Sequence, residues 1–219
     1  MDPDRAEIRV LGALIEKQRT TPDAYPLTLN ALRLACNQST NRDPVLELSD
    51  SDVRAALERL ARRGWTRSTS WAGSRSMKYK HLLDDALSLS RPQLALLGVL
   101  MLRGAQTPGE LKGRSERQHS FASLEDVQGT LDALVESELA IRLPRRPGQK
   151  EERYEQLLGG DAEVADAAAA MPADRREPPS VPRIEHAEGD EPPGRLAALE
   201  ARVGELEEEL RRLREELGA

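Results

Sequence analysis

Val53-Arg54-Ala55-Ala56-Leu57-Glu58-Arg59-Leu60, then Trp65, then Tyr79-Lys80-His81-Leu82-Leu83, returns later in the chain as Val127-Gln128-Gly129-Thr130-Leu131-Asp132-Ala133-Leu134, then Leu139, then Tyr154-Glu155-Gln156-Leu157-Leu158. The helical stretch recurs at an offset of 74 residues (53 to 127) and the closing strand at 75 (79 to 154), so the second hairpin has gained one residue. The chain therefore holds two copies of one small fold, and tandem units of this kind usually serve binding rather than catalysis.

Working outward from the first copy, Ile8, Leu11, Leu14 and Ile15 recur at helical spacing and predict a helix over 4–18. A turn at Thr20–Asp23 follows, and Pro26 is expected to open a second helix through Leu29, Leu32 and Cys36. After a polar segment from Gln38 to Leu48, Ser49 is the expected cap of a third helix, with Asp52 placed where a carboxylate favours the positive helix end. Gly64 stops that helix. The runs Trp65–Trp71 and Ser76–Leu82 predict a hairpin around Gly73.

The second copy repeats the plan. Ser90 with Gln93, Thr107 with Glu110 and Ser123 with Asp126 read as capping signals for its three helices. Leu139–Leu143 and Arg153–Leu157 then predict a hairpin around Pro144–Gly148. Three helices and a two-stranded hairpin, twice over, make a mainly α chain with small β-hairpins, in the winged-helix form of helix-turn-helix. The expected division is 1–88 for the first winged-helix domain and 89–160 for the second. Residues 161–193, rich in Pro, Ala and acidic side chains, read as a disordered linker, and 194–219 as a coiled-coil helix.

Several motifs carry a further resemblance. Leu14-Ile15-Glu16-Lys17-Gln18-Arg19-Thr20-Thr21-Pro22 with Tyr25-Pro26-Leu27, Ala35-Cys36-Asn37-Gln38-Ser39-Thr40-Asn41-Arg42-Asp43-Pro44, Leu102-Arg103-Gly104-Ala105-Gln106-Thr107-Pro108-Gly109-Glu110-Leu111, and Arg146-Pro147-Gly148 through Arg153-Tyr154 resemble the YceH family of bacterial proteins. The resemblance covers nearly the whole chain and implies a tandem winged-helix fold. It implies no activity.

Charge is distributed unevenly over the 219 residues. Residues 1–91 carry 15 Lys/Arg against 12 Asp/Glu, 92–160 carry 9 against 10, and 161–219 carry 8 against 16. The acidity lies in the tail, so an overall charge of −6 leaves nucleic acid open as a partner of the first copy. On its third helix Val53, Ala56, Leu57 and Leu60 share a face, turning Arg59 and Arg62 outward with Arg54 and Arg63 to either side. The hairpin adds Arg67, Arg75, Lys78 and Lys80, suited to phosphates beside a groove. Against this stand Asp50 and Asp52 at the helix start, and a solvated charged helix is the competing reading. Asn41 and Arg42, in the polar segment, suit either base-edge contacts or simple side-chain turns.

The third helix of the second copy bears Glu125, Asp126, Asp132, Glu136 and Glu138 and no cation, which favours a protein-contact or structural role. Its hairpin, with Arg142, Arg145, Arg146 and Lys150, is the part left for phosphates. Leu196, Leu199, Val203, Leu206, Leu210, Leu213 and Leu217 follow heptad spacing, and their flanking charges favour a parallel self-pair. Antiparallel or heteromeric pairing, or a lone solvated helix, remain the alternatives.

No catalytic, cofactor or metal constellation is present: His81, His119 and His186 lie in separate segments, and Cys36 sits on an apolar helix as a small core residue. One cysteine, a charged N-terminus and the lack of a membrane-length apolar run point to the cytoplasm and to no membrane partner. The expectation is a non-enzymatic, dimeric protein that binds double-stranded DNA in a regulatory role. The alternative is a scaffold whose winged helices bind protein partners.

Overall fold

Asp4 starts the first helix, α1 (Arg5–Thr20), with a reciprocal cap: its carboxylate accepts from the Glu7 N–H while the Glu7 carboxylate accepts from the Asp4 N–H. These positions come from a computed structural model of the chain, which describes residues 2–70, 76–145 and 151–159. From Glu7 to Ile15 every residue of α1 is buried, so this helix is covered on all sides.

The first copy continues with β1 (Leu27–Thr28), α2 (Leu29–Cys36), α3 (Asp50–Arg62), β2 (Thr66–Thr69), β3 (Lys78–His81) and a short α4 (Leu83–Leu87). The second comprises α5 (Arg91–Arg103), α6 (Pro108–Ser115), α7 (Leu124–Glu136), β4 (Ala140–Leu143) and β5 (Arg153–Gln156). The described residues are thus mainly helical, with small antiparallel sheets. Pro26 does not open α2: Leu27 and Thr28 pair with Tyr79 and Lys78, and the Thr28 hydroxyl caps the helix one residue later.

The duplication holds at the level of hydrogen bonds. Leu27 faces Tyr79 in a three-stranded sheet of order β1-β3-β2, and the isolated bridge of Gln106 with Tyr154 repeats that pairing. The Trp65 N–H donates to the Leu60 carbonyl as the Leu139 N–H does to Leu134. Gly64, at φ +77°, makes the left-handed exit from α3, and Glu138 takes the same conformation at φ 55° after α7.

Helix α5 joins the copies. Leu94, Leu97, Met101 and Leu102 pack into the core formed by α1, α2 and α3, while Leu96, Val99 and Leu100 pack into that of α6, α7 and the second hairpin. Each fully buried leucine contributes roughly 1.5–3 kcal/mol. Two glycines let α1 and α5 approach: a Cβ on Gly98 would fall 2.8 Å from Ile15 Cγ2, and one on Gly12 2.9 Å from Leu102 Cγ. Residues Met1–Pro172 accordingly cluster as one unit. None of residues 173–219, which fall outside that unit, is among the described residues. The readings of 161–193 as linker and of the 194–219 heptads, from Leu196 to Leu217, therefore lie outside the described residues.

Candidate nucleic-acid interface

Helix α3 begins at Ser49, whose hydroxyl accepts from the Asp52 N–H while the Asp52 carboxylate accepts from the Ser49 N–H. Hydrogen bonds from the Ser49 side chain and backbone hold the Asp52 carboxyl below its ordinary value. Val53, Ala56, Leu57 and Leu60 bury one face, which leaves Arg54, Arg62 and Arg63 exposed. Asp50 is engaged by the Arg33 guanidinium at 2.8 Å, so the acidic start of the helix is partly neutralised from within.

Arg59 is not outward and available as the helical spacing predicts. Its Nε donates to Glu7 at 3.0 Å and its Nη2 to Asp4, tying the C-terminal half of α3 to the start of α1. Arg63 lies 3.8 Å from the same Glu7 carboxylate and 5.5 Å above the Trp65 ring. By contrast, no ion pair among the described residues engages Arg54 or Arg62.

The hairpin sorts its side chains by the two-residue period of a strand. Thr66 and His81 are buried and Tyr79 packs on the core. The other face carries Arg67, directly opposite Lys80, and Lys78, opposite Thr69. Like charges directly across a ladder are destabilising, and no carboxylate among the described residues pairs with any of the three. Arg75 lies outside the described residues.

The 37–48 segment is a structural element. Arg42, with a fully buried side chain, donates to the Ala35 carbonyl, to both oxygens of Glu16 at 3.1 and 2.7 Å, to Gln38 and to the Asn41 carbonyl. Arg9 reaches the carbonyls of Cys36 and Pro44. Both guanidiniums thus meet the last carbonyls of α2, where the helix dipole favours cations. Burial, with the like charge of Arg42, pulls Arg9 down to about 10, still protonated at neutral pH. Burial pushes the Glu16 carboxyl up, but the hydrogen bond and charge of Arg42 outweigh it and the net shift is downward.

Asn37 clasps both backbone groups of Leu48, and the Asn41 amide oxygen accepts from Arg103 at 2.6 Å. The Asp43 N–H donates to Leu102, so the segment also braces α5. Arg42 therefore belongs to a buried network, and Asn41 to a brace against the second copy. Arg9 and Glu16 escaped the sequence reading, although a charged residue beside Ile8, Val10 and Leu11, and another after Ile15, are conspicuous on a helix otherwise apolar in its middle.

Among the described residues, the cations of the second hairpin have carboxylate partners. Arg142 pairs with Asp132 at 3.0 Å and Glu152 at 3.5 Å and lies 5.6 Å over the Tyr154 ring. Arg145 is 3.7 Å from Glu152, and Arg153 is 2.9 Å from Glu110. Arg146 and Lys150 lie outside the described residues.

Burial pushes the Cys36 thiol up to about 12, which makes it an inert core group. His81 Nε2 is 2.9 Å from the Gln18 amide oxygen, and Nδ1 accepts from the Leu83 N–H. Burial, opposed by Asp84, pulls this imidazole down to about 4, so it is neutral at pH 7. Among the described residues no group of three or more His, Cys, Asp or Glu is placed to hold a metal ion, and no helix is long and apolar enough to cross a membrane.

A family profile described as a protein of unknown function, DUF480, matches residues 4–149. A UPF0502 protein of Geotalea uraniireducens is 46% identical over 208 residues, covering 94% of this chain and 90% of its own. One from Pseudomonas fluorescens is 47% identical over 206 residues, 92% of each chain. One from Xanthomonas axonopodis pv. citri is 46% identical over 218 residues, 99% of this chain and 94% of its own.

Proposed function

We propose that this chain, which belongs to the DUF480 family of proteins of unknown function, is a DNA-binding protein of regulatory type built from two winged-helix units, the first of which docks on duplex DNA. The UPF0502 proteins are the YceH-like family that the sequence motifs resemble. The observation that carries the reading is the face of the first hairpin, where Arg67 stands opposite Lys80 beside Lys78 with no carboxylate partner among the described residues. A polyanion relieves that repulsion, and each neutralised phosphate releases counterions.

Arg54 and Arg62 extend the cationic surface onto α3. Asp50 and Asp52 at the helix start oppose insertion of that end into a groove, so the contact runs through phosphates and positions the protein more than it reads bases. In this reading residues 1–88 dock, residues 89–160 support them, and Arg75, Arg145, Arg146 and Lys150 add peripheral contacts. The heptads from Leu196 to Leu217 pair two chains, and three heptads add mainly avidity.

Fluorescence anisotropy of a labelled random-sequence duplex, titrated with the full chain from about 50 to 200 mM salt, tests this. The log affinity should fall with log salt by about 0.9 for each phosphate contacted. Arg62→Ala, Arg67→Ala and Lys80→Ala should each lower the slope by about that amount, and the triple variant should lose binding. Absence of binding by folded wild-type protein at the lowest salt removes the reading. The alternative, a protein-interaction scaffold, is favoured by α7, where Glu125 and Asp126 are exposed beside Leu124, itself 54% exposed, and Glu136 is exposed at the other end of the helix.

A further inference from the structure

The C-terminal end of α1, the start of the 37–48 segment, the C-terminal end of α5 and the α6 region surround a cleft of about 360 Å³. That is within the range of roughly 300–1,000 Å³ typical of small-ligand sites. Lys17, Arg103, Arg114 and Arg117 line it, and Glu16 is the one carboxylate among its lining residues. Both oxygens of Glu16 already accept from Arg42.

The cations are incompletely satisfied. Lys17 is 3.3 Å from Glu16 and Arg114 is 3.3 Å from Glu110, whereas no ion pair among the described residues engages Arg117. Arg103 donates to the neutral Asn41 amide, and its Nε is buried with no hydrogen-bond partner. Gln118 Oε1, in the same wall, is likewise buried and unpartnered. Burial and the like charge of Arg114 lower the Arg103 guanidinium from its ordinary value, outweighing the carboxylates of Asp43 and Glu110. Guanidiniums present planar forks that match phosphoryl oxygens.

We infer that this cleft binds a small phosphorylated anion, held by Arg103, Arg114 and Arg117 with Lys17 at its rim. No residue of α3 or of the first hairpin lines it, so the site is independent of the proposed DNA surface. Its lining comes from both copies, which makes a bound anion a bridge across the α1–α5 junction.

Isothermal titration calorimetry of the full chain with inorganic pyrophosphate at low ionic strength tests the site. One saturable event per chain is expected. Arg117→Glu and Arg114→Ala should each weaken it by about tenfold or more, which is the scale of one charge-assisted contact. Arg67→Ala should leave it unchanged, which separates the cleft from the duplex-binding face. Arg117 is exposed, so its variant should keep the wild-type circular dichroism and carry the test if Arg114→Ala does not fold. The proposal is overturned if folded wild-type protein gives no saturable heat, if Arg117→Glu binds pyrophosphate as tightly as wild type, or if Arg67→Ala weakens binding equally. It is also overturned if Arg117→Glu impairs duplex DNA binding alone, which would assign the cleft to a backbone phosphate.

Discussion

The two hairpins share a register and differ in what they set across it. Arg67 faces Lys80 in the first, while in the second the corresponding positions are Ile141 and Glu155. Thr69 opposite Lys78 becomes Leu143 opposite Arg153, whose guanidinium is taken up by Glu110. The backbone ladder is common to both copies, but the face that presents Arg67 and Lys80 in the first holds the buried Glu155 and Leu143 in the second. A face that keeps unpaired cations at a cost in stability is better suited to a ligand than one that neutralises its own.

The largest effect separates a buried cation from an exposed one. Arg42→Ala leaves Glu16 without its principal partner and should cost about 3–5 kcal/mol in urea unfolding, as expected for breaking a buried pair. Arg67→Ala, in the same experiment, should cost nothing.

A second contrast lies at His81, whose counterpart in the second hairpin is Gln156. The folded imidazole is pulled down to about 4 while the unfolded one titrates near its ordinary value, so between those values the unfolded chain binds more protons. Stability should be full above about pH 6.5 and decline as pH falls toward 4, by at most about 3 kcal/mol. His81→Gln should flatten that decline, as read from urea midpoints across the window.

Next in size is the junction between the copies. Gly98→Ala forces Ile15 to move and should destabilise the protein by about 1–3 kcal/mol. Ile15→Val in the same chain should recover part of the loss, and thermal unfolding of the double-mutant cycle measures it. Smaller still, Glu138→Gly removes left-handed strain from the position where the first copy already has Gly64, and should stabilise by up to about 1 kcal/mol. Gly64→Ala should do the reverse. Smallest is Arg67→Ile, which copies the second hairpin into the first. Its gain in midpoint should be well under about 1 kcal/mol at low salt and vanish at high salt.

Much of the architecture was legible because its signals are local. Ser49 with Asp52, Ser123 with Asp126 and Thr107 with Glu110 cap the helices where the residues say they should. The short β1 and α4 were not, since two to five residues carry no period, and Pro26 suggested a helix start that the pairing of Leu27 with Tyr79 displaces. The interface was harder. Nothing near Arg59 in sequence announces Asp4 and Glu7, and Arg42 looks like any loop cation until Glu16 and the end of α2 close around it. The run Leu94–Leu102, apolar at every position, holds a signal for a helix covered on all sides that the sequence reading did not use. Helical spacing alone picks out only Leu94, Leu97 and Met101 there.

Because α5 contributes to both cores, neither copy owns its own interior. A fragment ending at Ser88 would turn the flank of α1 around Gly12 and Ile15 to water, and one beginning at Leu89 would strand Leu94, Leu97, Met101 and Leu102. Duplication here comes with mutual dependence: each copy completes the other's interior, so a cut between them leaves two incomplete halves.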